Sequence, residues 1–366
     1  MREREVFLRA LDLADPAERR RFLDRACAGD ATLRDGIERL LAWHARGKGW
    51  FEEPLPERLA AGTPVGPAGA SRPAGSRAAV PPPGTDDDAG SEPRVGGRFG
   101  GVTLLGELPG SPFGRVFAGR AEGDGRGVVV KMLDAPLDAD PGARGRFLAT
   151  ARRLMSLPHA GLPRVVAVEE RPRAGIAFAA VEGASLGERS AGGASLPHGH
   201  VASLGKGLAA ALAAVHEGGL VHRALGPEVV IVGSGGAAGR VWLADTGLAH
   251  ALAGADGRVE PYGAWPAFLA PEQVLGAAID PLDHRPDLFA LGCVLAFLAT
   301  GRSPFDSPSR DGVVRRLHDV EPRPEVMERM PAGLAELVVD LLQADPRNRP
   351  ASASVVVARL DALAGG

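Results

Sequence analysis

Three short stretches of the chain combine ionisable side chains with strand-like apolar runs. "VVVK" ends in Lys131, "VHRALGPE" holds His222 and Glu228, and "LADTG" holds Asp245. Lysine is scarce in this chain and occurs at three positions (48, 131 and 206) among 42 basic residues. Because arginine is the usual basic residue here, a lysine at 131 indicates a position where lysine itself is needed. Lysines, histidines and carboxylates can hold anions or metal ions and can move protons, provided that the fold brings them together.

The composition excludes several classes of protein. The chain has 366 residues, 45% of them hydrophobic, which is enough for a large core. A net charge of −3 and a pI near 6.3 lack the basic excess of a nucleic-acid-binding protein. Cys27 and Cys293 stand far apart without CxxC or Cys/His spacing, so we expect a reducing compartment and neither a disulfide framework nor a zinc site.

The sequence predicts no membrane segment. The N-terminal stretch "MREREVFLRALDLAD" is charged throughout and lacks the apolar core of a signal peptide. The longest apolar run, residues 288–300, is too short to span a bilayer and is typical of a buried core helix. We therefore predict a cytoplasmic protein with no membrane and no nucleic-acid partner.

The elements that must position these residues divide the chain into three parts. Residues 1–52 have helical periodicity and predict a small helical segment, with Asp15 as N-cap before Pro16. Residues 53–96 are rich in Pro, Gly and Ala and predict a disordered linker. Residues 97–366 begin with strand-like runs around a helical stretch at 143–157 and turn helical after 195, which predicts an α+β arrangement of two lobes.

Seven ordered motifs in residues 97–366 resemble those of the protein kinase family, specifically the bacterial serine/threonine kinases. In chain order they are "VVVK" (128–131), "VHRALGPE" (221–228), "LADTG" (243–247), "FLAPEQ" (268–273), "PDLFALG" (286–292), "TGRSPF" (300–305) and "LLQADPRNRP" (341–350). Each motif alone is weak, but their order and spacing together are specific. The resemblance implies a bilobal protein-kinase-like fold, with a β-rich N-lobe at about 97–182 and an α-helical C-lobe at about 183–366.

The residues that maintain the kinase fold are present. By resemblance, His222 and Arg223 belong to the catalytic loop, and Asp287 holds the backbone of that loop from a central helix. The resemblance also implies an ion pair between Glu272 and Arg349 that ties the activation segment to the C-lobe. We expect all five residues to have structural roles.

The positions that perform chemistry in the family are changed. By resemblance, Ala224 replaces the aspartate that accepts the substrate's proton, Gly226 replaces a lysine and Val229 replaces a magnesium-binding asparagine. Ala264 replaces the threonine that would bridge the lost aspartate and lysine, and Thr150 replaces the glutamate that pairs with the nucleotide-binding lysine. A methyl group cannot accept a proton, so we expect no catalytic residue at these positions.

The nucleotide half of the site is partly preserved. By resemblance, Lys131 corresponds to the phosphate-contacting lysine and Asp245 to the magnesium-binding aspartate, whereas "LGELPGSPFG" departs from the family's glycine-rich loop. Val129 replaces a smaller alanine, and Thr246 replaces a phenylalanine that packs beside His222. We predict that ATP and magnesium bind weakly or not at all, and that Lys131 and Asp245 are either solvated or paired with each other. The expected lining of the cofactor site is Lys131, Asp245, Gly114, Val116, Val129 and Ile231.

Two functions remain open at this point. The first is a catalytically inactive pseudokinase that serves as a signalling scaffold or regulatory binding module for protein partners. The alternative is an active but degenerate Ser/Thr kinase that transfers the ATP γ-phosphate to protein hydroxyls, and the retained Lys131 and Asp245 favour it. The sequence identifies no partner, and it assigns residues 1–52 a docking or packing role.

Overall fold

The computed structural model describes residues 15–30, 93–111, 114–190, 198–234, 239–251, 266–275, 283–305 and 322–364, with single positions 6, 9, 10, 13, 34, 37 and 38. Near the N-terminus, helix α1 (Pro16–Ala26) begins at Asp15, whose carboxylate accepts hydrogen bonds from the backbone N–H groups of Ala17 and Glu18. The predicted linker at 53–96 falls outside the described residues apart from its last four positions.

An antiparallel sheet of six strands forms the first half of the larger unit, in the spatial order β1-β2-β3-β4-β6-β5. Its strands are β1 (Arg98–Phe99), β2 (Val102–Ser111), β3 (Gly114–Ala121), β4 (Gly127–Leu133), β5 (Val165–Glu169) and β6 (Gly175–Ala179). One face of this sheet packs its own core of Phe99, Leu104, Phe117, Val130 and neighbouring residues. The other face joins the core of the helical half.

Two helices cross from β4 to β5, namely α2 (Ala135–Ala139) and α3 (Pro141–Met155). Helix α3 corresponds to the predicted stretch at 143–157 but begins and ends two residues earlier. Asp140 caps its start by accepting from the N–H of Gly142, and Pro141 suits the first helical turn. Pro158 follows the helix, and the residue before a proline disfavours helical backbone, which explains the early end.

A small second sheet contains β7 (Gly183–Ser185), β8 (Val230–Gly233) and β9 (Val241–Leu243), and two of the described helices lie between β7 and β8 in chain order. The helices of the second half are α4 (Leu186–Ser190), α5 (His198–Glu217), α6 (Leu248–Ala251), α7 (Pro271–Leu275), α8 (Arg285–Thr300), α9 (Pro324–Met327), α10 (Ala332–Leu341) and α11 (Ala353–Ala364). A β-rich half followed by a helical half confirms the predicted two-lobed α+β fold.

Helix α8 is the centre of the helical half. Every residue from Pro286 to Thr300 is buried, and Gly301 ends the helix in the left-handed conformation that favours glycine. The apolar run at 288–300 is therefore a core helix, as predicted. Among the residues that the structure describes, no helix combines the length and the apolar character that crossing a bilayer requires.

An ion pair fastens helix α7 to the end of the helical half. Both guanidinium Nη atoms of Arg349 contact the Glu272 carboxylate, with 2.9 Å between Nη2 and Oε2, and the Arg349 side chain has no exposed surface. Arg349 also donates to the carbonyl oxygens of Gln343 and Arg285, and its guanidinium lies 5.0 Å from the centre of the Phe289 ring. Because the pair is largely out of water, loss of either side chain would leave the charge of the other buried without its partner.

We expect Glu272→Ala to lower the free energy of unfolding by about 3–5 kcal/mol, because it leaves the Arg349 charge buried without its carboxylate. Arg347→Ala is a matched control, since that arginine is exposed and pairs with Asp345 two residues away, so its loss should be much smaller. Urea denaturation of both variants measures the difference. Equal losses would show that the Glu272–Arg349 pair does not stabilise the fold.

Candidate active site

Lys131 and Asp245 form a buried ion pair where the large sheet faces the second sheet. Lys131 lies on β4, in register with Val116 on β3 and Ile176 on β6, and Asp245 follows β9. The Lys131 Nζ atom contacts the Asp245 Oδ1 atom, and the two side chains are 7% and 5% exposed. Of the two arrangements predicted from the sequence, solvated or paired, the structure has the paired one.

Helix α3 packs onto the segment that follows Asp245. The buried residue Thr150 lies on this helix, and a Cβ atom added to Gly247 would lie 3.0 Å from its methyl carbon. Gly247 has a φ of +71°, and Arg146 donates from Nε to the Ala251 carbonyl oxygen at 3.0 Å. Thr150 supplies a methyl group here and no carboxylate, so the anionic partner of Lys131 comes from Asp245.

The apolar residues predicted to line a cofactor site have little exposed surface. Val116, Val129 and Ile231 are all buried. Ile231 pairs across the second sheet with Trp242, and both belong to one apolar cluster with Ala244, against which Val181 packs. Sequence reasoning did not identify Trp242. Its only signal was its place on β9, the strand that pairs with β8 and the predicted lining residue Ile231.

Gly114 satisfies a steric requirement of the sheet. Its φ is +141°, and a Cβ atom there would lie 2.1 Å from the carbonyl oxygen of Met132 on β4. No other residue type fits without moving the backbone. The glycine at this position therefore reflects close strand packing, which holds independently of any phosphate ligand.

Asp287 holds the loop that contains His222 and Arg223. Its carboxylate accepts from the backbone N–H of His222 (2.7 Å) and of Arg223 (2.6 Å), and the Nε2 atom of His216 lies 2.9 Å from it. Burial alone would raise the pKa of Asp287, but hydrogen bonding and the positive potential of His216 outweigh it and hold the pKa below its usual value. The carboxylate stays ionised and fixes the backbone.

The His222 ring connects the loop to the strand before Asp245. Its Nδ1 atom accepts from the Ala224 N–H at 3.3 Å, and its Nε2 atom lies 2.9 Å from the Ala244 carbonyl oxygen. These contacts fit a neutral ring with the proton on Nε2. Complete burial lowers the pKa of His222, because desolvation of the imidazolium outweighs the attraction of the Asp287 carboxylate.

Two further contacts lie next to residues with unusual backbone conformation, one in this loop and one after β9. Arg223 and Asp245 have φ values of +62° and +57°, which are uncommon outside glycine. The Gln273 Nε2 atom donates to the Arg223 carbonyl oxygen at 2.9 Å, and Thr246 donates from its hydroxyl to the Leu243 carbonyl oxygen at 3.3 Å. Sequence reasoning did not single out Gln273, and its only signal was its place beside Glu272 in "APEQ".

The remaining loop positions carry no ionisable group. Ala224 is half-buried, Gly226 has no side chain, and Val229 is buried in the main apolar core. Glu228, the acid nearest to Ala224 in the sequence, has its carboxylate between Gly187 and Gly226: Oε1 would lie 3.0 Å from a Cβ atom added to Gly187, and Oε2 3.7 Å from one added to Gly226. Ala264 lies outside the described residues.

These residues fit a nucleotide with magnesium only in part. Lys131 and Asp245 are of the types that would hold a phosphate and a magnesium ion, but each neutralises the other in a buried pair. Val229 offers no oxygen ligand. Within the described residues, no cluster of three or more His, Cys, Asp or Glu side chains could hold a metal ion.

Comparisons with known proteins agree with this geometry. Residues 105–359 match the family model described as "Protein kinase domain". "Serine/threonine-protein kinase pkn2" of Myxococcus xanthus is 32% identical over 73% of this chain and 32% of its own length, and "Probable serine/threonine-protein kinase PkwA" of Thermomonospora curvata is 33% identical over 72% and 34%. The chain thus spans about a third of the length of these curated relatives.

Among solved structures, the chain is similar to the PknI kinase domain of Mycobacterium tuberculosis, in a structure of its C20A_R136A double mutant. The two share 25% sequence identity with a TM-score of 0.58, and the similarity covers 75% of this chain and 100% of that one. The similarity supports the kinase fold that the strand order and the central helix already indicate.

The buried neutral His222 predicts acid sensitivity. Unfolded histidine has a pKa of about 6.5, and the folded-state pKa is lower, so the unfolded chain takes up a proton first as the pH falls. Stability should therefore be fully present above about pH 6.5 and decline below it, by up to roughly 1.4 kcal/mol per pH unit for this one proton.

Urea denaturation between pH 7.5 and 5.0 measures this dependence. His222→Gln should reduce the slope by up to one proton, whereas His200→Gln, at an exposed histidine, should leave it unchanged. A slope that is the same in His222→Gln and in the unaltered protein would contradict the assignment.

Proposed function

Because the chain belongs to the bacterial serine/threonine protein kinase family, we propose that it is a catalytically inactive pseudokinase that acts as a scaffold or regulatory binding module. Kinase folds generally bind ATP and magnesium, and the proposal is that this chain binds them weakly or not at all. The observation that carries it is the buried Lys131–Asp245 pair, together with a loop that has Ala224 at the position of the family's proton acceptor.

Phosphoryl transfer to a protein hydroxyl requires a residue that orients the hydroxyl and accepts its proton. Such a base contributes roughly 10²–10⁴ in rate, and the other groups of the site act together with it. Ala224 supplies no acceptor, and the Glu228 carboxylate lies between Gly187 and Gly226, where a Cβ atom added to either glycine would contact it. The loop therefore keeps the backbone arrangement that Asp287 holds but lacks the catalytic side chains that the family carries on it.

Nucleotide binding would have to separate Lys131 from Asp245. A phosphate group would replace a carboxylate that is already buried against the ammonium, and the freed carboxylate would need a magnesium ion to remain neutralised. Val229 gives that ion no second ligand. This cost, together with the burial of Val116, Val129 and Ile231, supports weak binding at most.

The proposal extends to the organisation of the chain. Residues 97–366 form the kinase-like unit, 53–96 a linker, and 1–52 a helical segment for docking or packing. The partners are proteins, and the net charge of −3 does not favour nucleic acid. The proposed location is the cytoplasm.

An active but degenerate Ser/Thr kinase is the second candidate. The observation in its favour is that Lys131 and Asp245 are both retained and lie next to each other, where a nucleotide phosphate and its metal ion could separate them. Catalysis would then rely on positioning alone.

The two candidates differ in magnesium-dependent labelling with γ-labelled ATP. We compare the unaltered chain, Asp245→Asn and Lys206→Ala, whose lysine lies on the surface and pairs with Asp361. We expect the same background signal from all three, with and without a generic protein substrate, because none has a residue to accept the substrate proton. Labelling in the unaltered chain and in Lys206→Ala that disappears in Asp245→Asn would overturn the pseudokinase proposal and establish the second candidate.

A further inference from the structure

A cavity of about 530 Å³ lies between helix α3, the start of β5, the end of β6 and the residues around Asp245. Its apolar wall includes Leu154, Leu162, Phe178 and Leu243. The volume is within the roughly 300–1,000 Å³ typical of small-molecule sites in proteins. A cavity of this size with an apolar wall has room for a small organic ligand.

Next to Asp245, the wall of the cavity is formed by Thr246. The Thr246 hydroxyl donates to the Leu243 carbonyl oxygen, so it is already engaged within the chain. The Thr246 hydroxyl therefore needs no hydrogen-bond acceptor from a ligand, and this part of the wall suits an apolar group.

The polar groups on the wall give the cavity a positive balance. The Asp245 charge is neutralised by Lys131, whereas the exposed Arg164 has no side-chain partner among the described residues. His159 also lines the cavity. Its Nδ1 atom accepts from the Gly161 N–H at 3.1 Å, which leaves the other ring nitrogen as a donor.

We propose that this cavity binds a small amphipathic anion, with an aromatic or aliphatic body against Leu154, Leu162 and Phe178 and a carboxylate near Arg164 and His159. An apolar body gains free energy on leaving water, and an arginine with a free guanidinium binds carboxylate through charge-assisted hydrogen bonds. The cavity adjoins the candidate nucleotide site at Asp245 but differs from it in chemistry, since its described lining offers an unpaired arginine and an apolar wall where a triphosphate would need several cations.

The test uses 3-phenylpropanoate and 3-phenylpropylamine, two probes with the same body and opposite charge, titrated into the full chain by calorimetry at pH 7. We expect the carboxylate to bind at least tenfold more tightly than the amine. Equal affinity for the two probes, or no binding of either, would overturn the proposal.

Variants locate the binding. Arg164→Gln should weaken carboxylate binding about tenfold, whereas Arg329→Gln, at an exposed arginine outside the cavity, should stay within twofold of the unaltered chain. Thr246→Phe should abolish binding by filling the cavity from its inner wall. If Thr246→Phe does not fold, Ala160→Trp is used in its place, because Ala160 is an exposed residue of the lining. Carboxylate binding that survives the filling variant, or that ignores Arg164→Gln, would show that the probe binds elsewhere.

Discussion

The buried carboxylate of Asp287 is the constraint on which the candidate site depends. It stands on the central helix α8 at 1% exposure and fixes the backbone of His222 and Arg223 through two short hydrogen bonds. Arg223 has a positive φ, and this carboxylate and the Gln273 amide hold the peptide groups on both sides of it. Through the His222 ring, the same framework reaches the Ala244 carbonyl oxygen and thus the strand that leads to Asp245. The backbone of this loop is therefore held by groups other than the side chains of Ala224 and Val229.

The Lys131–Asp245 pair connects this framework to the large sheet. A buried ion pair adds little net stability compared with well-packed apolar residues, but its two partners become mutually dependent once they are out of water. In this chain the dependence joins β4 to the segment after β9, 114 residues apart. The apolar cluster of Ile231, Trp242 and Ala244 lies on and next to β8 and β9, the two strands on either side of which the loop and Asp245 stand in the chain.

Much of this arrangement could be predicted from the sequence, because the fold-keeping residues stand at fixed spacing within recognisable motifs. The two-lobed α+β fold and the family were predicted and are confirmed. The partner of Lys131 could not be decided in advance, since it depends on how closely β4 approaches the end of β9 and not on local pattern. The cavity beside Thr246 was beyond prediction for the same reason: its volume is set by packing among α3, β5 and β6. The roles of the substituted positions remain predictions, and Ala264 lies outside the described residues.

A double-mutant cycle on Lys131 and Asp245 tests the central claim most directly. Free energies of unfolding are measured by urea denaturation for Lys131→Met, Asp245→Asn, the double variant and the unaltered chain, all without nucleotide or magnesium. If the two side chains neutralise each other within a closed site, each single variant should lose about 3–5 kcal/mol, and the double variant should lose clearly less than their sum. Small and additive losses would contradict the account, because they would mean that both charges are solvated in an open cleft that is ready to receive a nucleotide.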